Sequence, residues 1–364
     1  MHYGLILAGG KGTRLWPMSR ETLPKQLIPF LQGKSLLQLA YERMEGLFGP
    51  EDIYICAGEA HEQRIRSALP ALPMQSFIGE PEGRDTLNAI AYSLAHIEKR
   101  DPDAVVAVVT ADQLITPGDR FQSVLSEGIS LVEETPTALM TFGIKPTHPA
   151  TGYGYLELGK KFRGTSRIVT RFKEKPDEEL AKSYLAAGPE RYLWNSGMFV
   201  FHAHTFLSLV ERYKPENYTG IKRIIALNGK EENSTAKAEE YHKLERISVD
   251  FAVMERASED DTVQVVSLMM DVSWKDIGSW PAYAEACAKD PSGNTVQAER
   301  AVVMESCGTL VASSDSDHLI AALGCEDLII VHTADATLIC PKSRAEEIKK
   351  LHGRITELFG NEYQ

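Results

Sequence analysis

Residues 5–26 read LILAGGKGTRLWPMSRETLPKQ, an apolar run that passes into a glycine-rich turn. The apolar stretch from residue 3 to residue 8 is long enough to form one buried strand. Three glycines follow it, at Gly9, Gly10 and Gly12. A turn of this kind leaves backbone N–H groups open to phosphate, and Arg14 and Lys25 add positive charge to the loop. A glycine triplet after a strand is equally compatible with an ordinary turn, so the wider motif has to decide.

The familiar phosphate loops do not fit this stretch. The P-loop pattern has Ser or Thr directly after its Gly-Lys pair, and the dinucleotide fingerprint has a third glycine where Arg14 or Leu15 stands in this chain. The longer string GG-x-GTRLWP, followed by PKQ, resembles the signature of the sugar-nucleotide pyrophosphorylases. Its WPMSR continuation is most similar to the mannose-1-phosphate guanylyltransferases (GDP-mannose pyrophosphorylases) among them. Further motifs carry the resemblance along the chain: EKP at 174–176, WNSG at 194–197 and WKDIGSW at 274–280.

The composition is that of a globular, acidic chain. Its 364 residues are 43% hydrophobic and 25% charged, enough to bury a sizeable core. The formal net charge of −12, with no basic block to offset it, argues against a nucleic-acid partner. No apolar run approaches the roughly 20 residues of a membrane helix, and the N-terminal sequence has no secretory signal. We therefore expect a cytoplasmic protein without a membrane partner.

Helix and strand patterns alternate through the first half of the chain. Helices are expected at about 35–48, capped by Ser35, and at 86–99. Apolar runs predict strands at 53–57, 77–79, 104–110 and 137–144. This alternation implies an α/β, Rossmann-like nucleotidyltransferase domain with a mainly parallel sheet, in which ligands bind at the carboxyl ends of the strands.

From about residue 290 the pattern changes to short apolar runs separated by turn residues. These runs lie at 301–304, 308–312, 318–323, 328–332 and 337–340, and a charged helix is expected at 344–358. The segment is similar to the short left-handed β-helix of the guanylyltransferases. The resemblance thus implies a catalytic domain over 1–288 and a β-helix-like domain over 289–364. Because a short solenoid exposes flat faces, we expect a homodimer.

Two aspartates are the candidate metal ligands. Asp112 comes just after the 104–110 run, where a carboxylate can hold a phosphate-bridging Mg²⁺. By its position alone, an aspartate here is more commonly a helix cap or a turn residue. The resemblance implies that Asp112 and Asp276 both bind the metal, the second through the W-x-D-x-G-S-W motif. Relatives usually carry Asp-His at the first position, whereas Gln113 follows Asp112 in this sequence.

The resemblance also assigns the residues that bind the nucleotide. They come from the first turn and from EPEGRDT: Leu7, Ala8, Gly9, Gly10, Gly12, Thr13, Glu80, Arg84 and Asp85. Arg14 is expected to hold the phosphates of the leaving pyrophosphate, and Lys25 to neutralise charge near the α-phosphorus. Glu80 stands where relatives read the base, and its carboxylate can accept the N1–H and N2–H₂ donors of guanine. The alternative is that Glu80 is a solvated loop acid.

Four residues are expected to contact the sugar phosphate. Gly152 and Gly154 alternate with aromatic residues in THPATGYGYLEL, where backbone can approach a ring-shaped ligand, although a plain turn is the alternative. Asn195 interrupts the apolar run LWNSGMFVF and offers a hydroxyl both a donor and an acceptor. The resemblance implies that Glu174 binds sugar hydroxyls and Lys175 the sugar phosphate. Without it, these two residues would be taken for a solvated ion pair.

The reaction that the resemblance implies is GTP with α-D-mannose 1-phosphate giving GDP-mannose and pyrophosphate, with Mg²⁺. Two alternatives remain: a pyrophosphorylase for another hexose 1-phosphate or NTP, and a non-catalytic, nucleotide-sugar-sensing homologue. Departures from the relatives' EP-x-x-RNTAPA at Asp85, Leu87 and Asn88 bear on the choice of nucleotide. A sensor is expected to lack the cations or the metal carboxylates, and this sequence keeps them.

Overall fold

The structure is a computed structural model that describes residues 1–10, 12–31, 33–227 and 233–364. Contacts divide the chain into two compact units. The first comprises Met1–Gly9, Ala40–Ala111 and Ile115–Trp274. The second comprises Gly10–Leu39, Asp112–Leu114 and Lys275–Gln364. The α/β fold class is confirmed.

The strands and helices alternate along much of the chain. The strands are β1 His2–Leu7, β2 Pro29–Leu31, β3 Lys34–Ser35, β4 Ile53–Gly58, β5 Phe77–Glu80, β6 Val105–Thr110, β7 Gln113–Thr116, β8 Ala138–Ile144, β9 Tyr155–Lys161, β10 Arg167–Lys173, β11 Tyr192–His202, β12 Gln264–Met269, β13 Ser273–Asp276, β14 Thr295–Gln297, β15 Ala301–Met304, β16 Leu310–Ser313, β17 Ile320–Leu323, β18 Leu328–His332 and β19 Thr337–Pro341. The helices are α1 Leu36–Met44, α2 Glu62–Ala68, α3 Asp85–Arg100, α4 Gly118–Glu134, α5 Glu178–Ala187, α6 Ala203–Tyr213, α7 Pro215–Leu227, α8 Ser234–His242, α9 Glu255–Ala257, α10 Trp280–Ala286 and α11 Ile348–Phe359.

The first unit is built on one large sheet. Among the described residues it has nine strands, in the order β5-β4-β1-β6-β11-β8-β12-β10-β9. Strand β1 pairs in parallel with β4 and β6, and β4 pairs in parallel with β5. The β-branched run of β6 is buried apart from its last residue, as expected for a strand covered on both faces. In this parallel part the carboxyl ends of β1, β5 and β6 lie at one edge, where Leu7 is in register with Cys56 and Thr110.

The other part of this sheet contains antiparallel pairs. Strand β11 runs antiparallel to β6, β8 and β9, and β10 runs antiparallel to β9 and β12. A register shift in the pairing of β11 with β8 falls between Asn195 and Phe199. Helices α3, α6 and α7 supply much of the apolar cluster that covers the sheet. The segment Asp250–Met254 forms a π-helix, a rare conformation that often marks a functional site.

The second unit contains the β-helix-like strands. Strands β14, β16 and β18 pair in parallel, and so do β15 and β17, which gives the stacked arrangement of solenoid coils. Strands β15 to β19 fall on the predicted runs, although β16 and β17 begin two residues later than predicted, and β14 has no predicted counterpart. The predicted terminal helix is α11, preceded by a 3₁₀ helix at Lys342–Glu347 rather than starting at residue 344.

The glycine-rich turn leads into a short 3₁₀ helix at Thr13–Leu15, which begins after Gly12. Gly12 has a φ of +61°, and a Cβ there would lie 2.8 Å from the Cβ of Lys25. A side chain at this position would therefore be strained and would collide with the lysine. Ser35 caps α1 as predicted, since its hydroxyl accepts from the Gln38 N–H while the Gln38 side chain accepts from the Ser35 N–H.

In the part of the chain that the structure describes, none of the helices is both long and apolar enough to cross a bilayer.

Candidate active site

Four charged residues of the second unit form what we call the charge cluster: Arg14, Lys25, Asp112 and Asp276. The side chain of Lys25 is 10% exposed, and its Nζ lies 2.8 Å from Oδ2 of Asp112. Burial alone would lower the pKa of Lys25, but the negative charges of Asp112 and Asp276 outweigh it and raise that pKa. The lysine is therefore a firmly charged ammonium that is paired with Asp112 and stabilised by the charge of Asp276.

Backbone contacts fix the two aspartates of this cluster. The N–H of Ile277 donates to the carbonyl of Asp112 over 3.0 Å, so the residue after Asp276 is bound directly to Asp112. Strand β7, which follows Asp112, and strand β13, which ends at Asp276, form a two-stranded sheet. The structure thus brings together two acids that are far apart in the sequence, as the resemblance implies.

Arg14 completes the charge cluster from the glycine-rich turn. A Cβ at Gly278 would lie 3.0 Å from Nη2 of Arg14 and 3.5 Å from the nearer carboxylate oxygen of Asp276. Gly278 therefore leaves room for both groups. Nη1 of Arg14 also donates to both carboxylate oxygens of Glu346, at 3.0 and 3.1 Å. This ion pair is exposed.

The charge cluster fits a divalent cation. Asp112 and Asp276 offer carboxylate oxygens, the ligands that Mg²⁺ prefers. Among the described residues, no group of three or more His, Cys, Asp and Glu side chains is placed to hold a metal ion. A site with two carboxylates takes its remaining ligands from water and from phosphate oxygens, which is usual for an ion that binds together with a nucleotide.

In the first unit, Glu80 ends β5 as a buried carboxyl rather than a solvated loop acid. It is only 4% exposed, and burial raises its pKa to about 7. The hydroxyl of Tyr241 donates to Oε1 of Glu80 over 2.5 Å. A Cβ at Gly9 would lie 3.9 Å from Oε2, so that oxygen lies beside the exposed backbone at the end of β1.

Glu174, Lys175, Asn195 and Asp250 form a second group in the first unit, which we call the acidic group. Nζ of Lys175 lies 2.8 Å from Oε1 of Glu174, whose side chain is 10% exposed. Nδ2 of Asn195 donates to Oδ1 of Asp250 over 3.1 Å. Burial, followed by the charge of Glu174, raises the pKa of Asp250 to about 7. The ion pair with Glu174, opposed by burial, raises the pKa of Lys175.

The remaining predicted site residues lie at the end of β1, at the start of α3 and in a turn. Leu7 and Ala8 are buried at the end of β1, whereas Gly9 and Gly10 are exposed. Arg84 donates to Glu82 and to the carbonyl of Leu244. Asp85 begins α3 with a φ of +68°. Gly152 has open space around it.

The structure adds residues that the sequence motifs do not reveal. Tyr241 and Asp250 contact predicted site residues from distant parts of the chain. Thr141 donates to Oδ1 of Asn195 over 2.9 Å and so fixes the amide. Gly154, rather than Gly152, is closely packed, because a Cβ there would lie 2.6 Å from Oε2 of Glu174. Of these, Gly154 lies in the THPATGYGYLEL segment, and Asp250 lies in SVDFAVM at 248–254, where the sequence predicts only a supporting role for it.

Comparison with protein families defines the class. A family model described as nucleotidyl transferase matches residues 3–293, and a second, described as mannose-phosphate isomerase/GMP-like β-helix domain, matches residues 299–355. The chain belongs to the nucleotidyl transferase family and is a nucleotidyltransferase. Enzymes of this family generally use a divalent metal ion.

Individual relatives within this family confirm the resemblance to the guanylyltransferases. A mannose-1-phosphate guanylyltransferase of Klebsiella pneumoniae is 37% identical, over 99% of this chain and 75% of the relative. One from Escherichia coli is also 37% identical, over 95% of this chain and 72% of the relative. The crystal structure of a mannose-1-phosphate geranyltransferase from Thermus thermophilus superposes with a TM-score of 0.84 at 29% identity, covering 97% of this chain and 99% of that one.

Proposed function

We propose that this chain transfers a guanylyl group from GTP to α-D-mannose 1-phosphate, giving GDP-mannose and diphosphate. Support comes from the relatives named mannose-1-phosphate guanylyltransferase, which align with 99% and 95% of the chain. The observation that carries the proposal is the charge cluster, in which the buried Lys25 pairs with Asp112 and is stabilised by the charge of Asp276, within the unit that contains Arg14. Such a cluster suits a reaction between two polyanions, which must be positioned and neutralised.

The proposed chemistry needs no covalent intermediate. An oxygen of the sugar phosphate forms a bond to the α-phosphorus of GTP in line with the leaving group. The bond from this phosphorus to the oxygen shared with the β-phosphate breaks, and diphosphate leaves with the electron pair. Arg14 holds the β- and γ-phosphates, and Lys25 neutralises charge at the α-phosphorus. The backbone of Gly9, Gly10 and Gly12 cradles the nucleotide.

The proposed cofactor is Mg²⁺, held by Asp112 and Asp276. When bound, it supplies positive charge to the reacting phosphates. In the chain itself, Lys25 lies 2.8 Å from Asp112, so the ammonium orients this carboxylate. Gln113 replaces the usual His after Asp112 and is buried. We assign it no contact with the ion.

Glu80 is proposed to choose the base. An ionised carboxylate has only acceptors, which match the N1–H and N2–H₂ groups of guanine. Adenine offers one donor on the corresponding edge, so a buried acceptor would lose a partner, which costs ~1–3 kcal/mol. The other proposed nucleotide contacts are Leu7, Ala8, Thr13, Arg84 and Asp85.

The acidic group is proposed to bind the sugar phosphate. Lys175 binds the phosphate, since its charge is secured by Glu174. Glu174 accepts hydrogen bonds from sugar hydroxyls, Asn195 both donates to them and accepts from them, and Gly152 leaves space for the ring. Thr141 orients Asn195 and leaves its amide with a defined direction.

We further propose a cytoplasmic homodimer with a domain boundary near residues 288 and 289. Strands β15 and β17 expose an apolar row in which Met304 is in register with Leu323, at 56% and 69% exposure. Val302, which is 49% exposed, shares this face. Pairing such a row with its copy would remove it from water.

The test is diphosphate release measured with each combination of four NTPs and several hexose 1-phosphates, with and without Mg²⁺. The proposal expects GTP with mannose 1-phosphate to have the highest kcat/KM and to require the metal. A higher value for another sugar or NTP would support the alternative pyrophosphorylase. Binding of GDP-mannose without turnover of any pair would instead indicate a sensor.

A further inference from the structure

Tyr241 stands out among the residues that contact the predicted site. It lies in α8 and is fully buried, although a tyrosine hydroxyl in the interior needs a partner. That partner is Glu80, whose Oε1 accepts the hydroxyl over 2.5 Å. The contact joins residues 161 positions apart in the sequence. A charge-assisted hydrogen bond of this length restricts the rotation of the carboxyl group.

Two further side chains, Cys56 and Lys237, belong to the surroundings of Glu80. The Cys56 thiol of β4 interacts with the Glu80 carboxyl and is itself 1% exposed. Lys237, one helical turn before Tyr241, donates to Glu59 over 2.6 Å and to the carbonyl of Gly79 over 3.3 Å. The Lys237 ammonium thus has Glu59 and the Gly79 carbonyl as hydrogen-bond partners. Tyr92 of α3 packs edge-on against the Tyr241 ring, at 5.9 Å between centroids.

We infer that Tyr241 is the positioning residue for nucleotide choice, because its hydroxyl holds the Glu80 side chain as an ionised acceptor aimed at the N1–H and N2–H₂ edge of guanine. The inference rests on the proposed function. A carboxylate has about four acceptor sites, so one donor from Tyr241 leaves enough for both guanine donors. A neutral carboxyl would instead present one donor and one acceptor, which matches adenine.

The electrostatics agree with this geometry. Burial raises the pKa of Glu80 to about 7, while the hydrogen bonds from Tyr241 and Cys56 act in the lowering direction. Without the Tyr241 hydroxyl, less opposes the effect of burial on the pKa of Glu80. That pKa therefore rises further, and the carboxyl stays protonated to higher pH. The expected consequence is weaker selection of GTP near neutral pH and a pH profile displaced upward.

The experiment compares wild type, Tyr241→Phe and Tyr92→Phe in nucleotide-sugar formation with GTP, ITP and ATP between pH 6 and 9. The Tyr92 variant is the matched control, since it removes a neighbouring hydroxyl that interacts with Lys237. We expect Tyr241→Phe to lower the GTP:ATP ratio of kcat/KM roughly tenfold at pH 7, mainly through KM. For ITP, which lacks the N2 amine, kcat/KM should fall by less than it does for GTP. The control should keep the wild-type ratio.

Equal losses with GTP, ITP and ATP would overturn the inference, as would an unchanged ratio and pH profile. A second measurement needs only wild type: kcat/KM for GTP should rise through about pH 7 relative to that for ATP, and a constant ratio would contradict the inference. Tyr241→Phe should also have no further effect on selectivity in a Glu80→Gln background. If wild type makes no nucleotide sugar from GTP, the proposed function itself fails, which is a different outcome.

Discussion

The carboxylates of the charge cluster and the carboxyl of Glu80 lie in opposite electrostatic environments. In the second unit, Asp112 is paired with a buried ammonium whose pKa is raised by both aspartates. In the first unit, Glu80 is enclosed by a tyrosine hydroxyl and a thiol, with burial raising its pKa to about 7. Asp250 of the acidic group resembles Glu80 in this respect. One region thus keeps charges fixed, and the other holds acids close to their point of protonation.

This difference matches two tasks. A lysine whose charge is secured by neighbouring carboxylates is suited to neutralising phosphates. Carboxyls with few, directional partners are suited to recognition, because a mismatched ligand leaves a buried group unsatisfied. Substitutions in the charge cluster should therefore act on turnover, whereas substitutions of the titrating acids should act on selectivity and on pH dependence.

The largest effect is expected from Asp276→Asn, which removes a charge from the cluster and keeps its shape. Turnover should fall by roughly 10³-fold, the scale seen when a main electrostatic contact to the reacting group is lost. Thermal unfolding should stay close to that of wild type. Asp271→Asn is the matched control, because this acid, nearby in the sequence, is exposed. Retained metal-dependent turnover in Asp276→Asn would remove the aspartate from the proposed site.

Glu80→Gln should change which nucleotide is used rather than whether the enzyme works. The amide offers one donor and one acceptor, so the GTP:ATP ratio of kcat/KM should fall by roughly 10- to 100-fold. The ascending limb of the GTP profile near pH 7 should disappear, because the titrating group is gone. Steady-state kinetics from pH 6 to 9 check both points. An unchanged GTP:ATP ratio of kcat/KM would indicate that Glu80 has a structural role only.

Asp250→Asn should affect the pH dependence of stability. The pKa of Asp250 is raised from 3.8 to about 7, so the folded chain holds this proton more tightly than the unfolded chain. Its contribution to the free energy of unfolding therefore falls as pH rises from about 4 to 7, by roughly 4 kcal/mol at most. The variant should lose that dependence and gain stability relative to wild type at pH 8.

Asp260→Asn is the control for this measurement, because the pKa of Asp260 is shifted the other way and its contribution does not change between pH 5 and pH 8. Hydrogen bonds from Tyr213 and Thr262 lower the pKa of Asp260 to about 2, so its contribution is present above pH 3.8 and is lost toward pH 2. Denaturant unfolding at pH 5 and pH 8 separates the two aspartates. An Asp250→Asn variant whose stability relative to wild type is the same at both values would contradict the assignment.

The smallest effect is expected from Glu346→Gln. The exposed pair with Arg14 is worth little in stability, but it engages the guanidinium that we assign to the leaving diphosphate. Freeing Arg14 should lower KM for diphosphate in the reverse reaction about two- to threefold. Glu347→Gln, which removes a partner of Arg344 on the same 3₁₀ helix, should leave this KM unchanged. A raised KM in Glu346→Gln would show that the acid supports Arg14 instead.

The parts of the fold that follow from local pattern were predictable. The apolar run before Gly9 and the AVVAVVT run before Asp112 have the length and residue types of buried parallel strands, and both are strands of the central sheet. Ser35 predicts the start of α1, because the two residues of a capping box are only three positions apart in the sequence. The helix nevertheless ends at Met44 rather than near Phe48, since boundaries depend on tertiary packing.

The partners of the predicted residues were not predictable from pattern. Tyr241 is one aromatic in the charged segment KAEEYHK, and its contact with Glu80 exists only in the folded chain. The same holds for Glu346 beside Arg14. Sequence motifs identified the groups that the resemblance places on substrate, whereas the residues that fix the charge and direction of those groups required the structure.

The most direct test of the central claim is competition in one reaction. Wild-type enzyme is supplied with equal concentrations of four NTPs and of several hexose 1-phosphates with Mg²⁺, and the nucleotide sugars formed are quantified by mass spectrometry at low conversion. The account predicts that GDP-mannose is the dominant product and that omitting the metal suppresses it. Any other nucleotide sugar in larger amount would contradict the account.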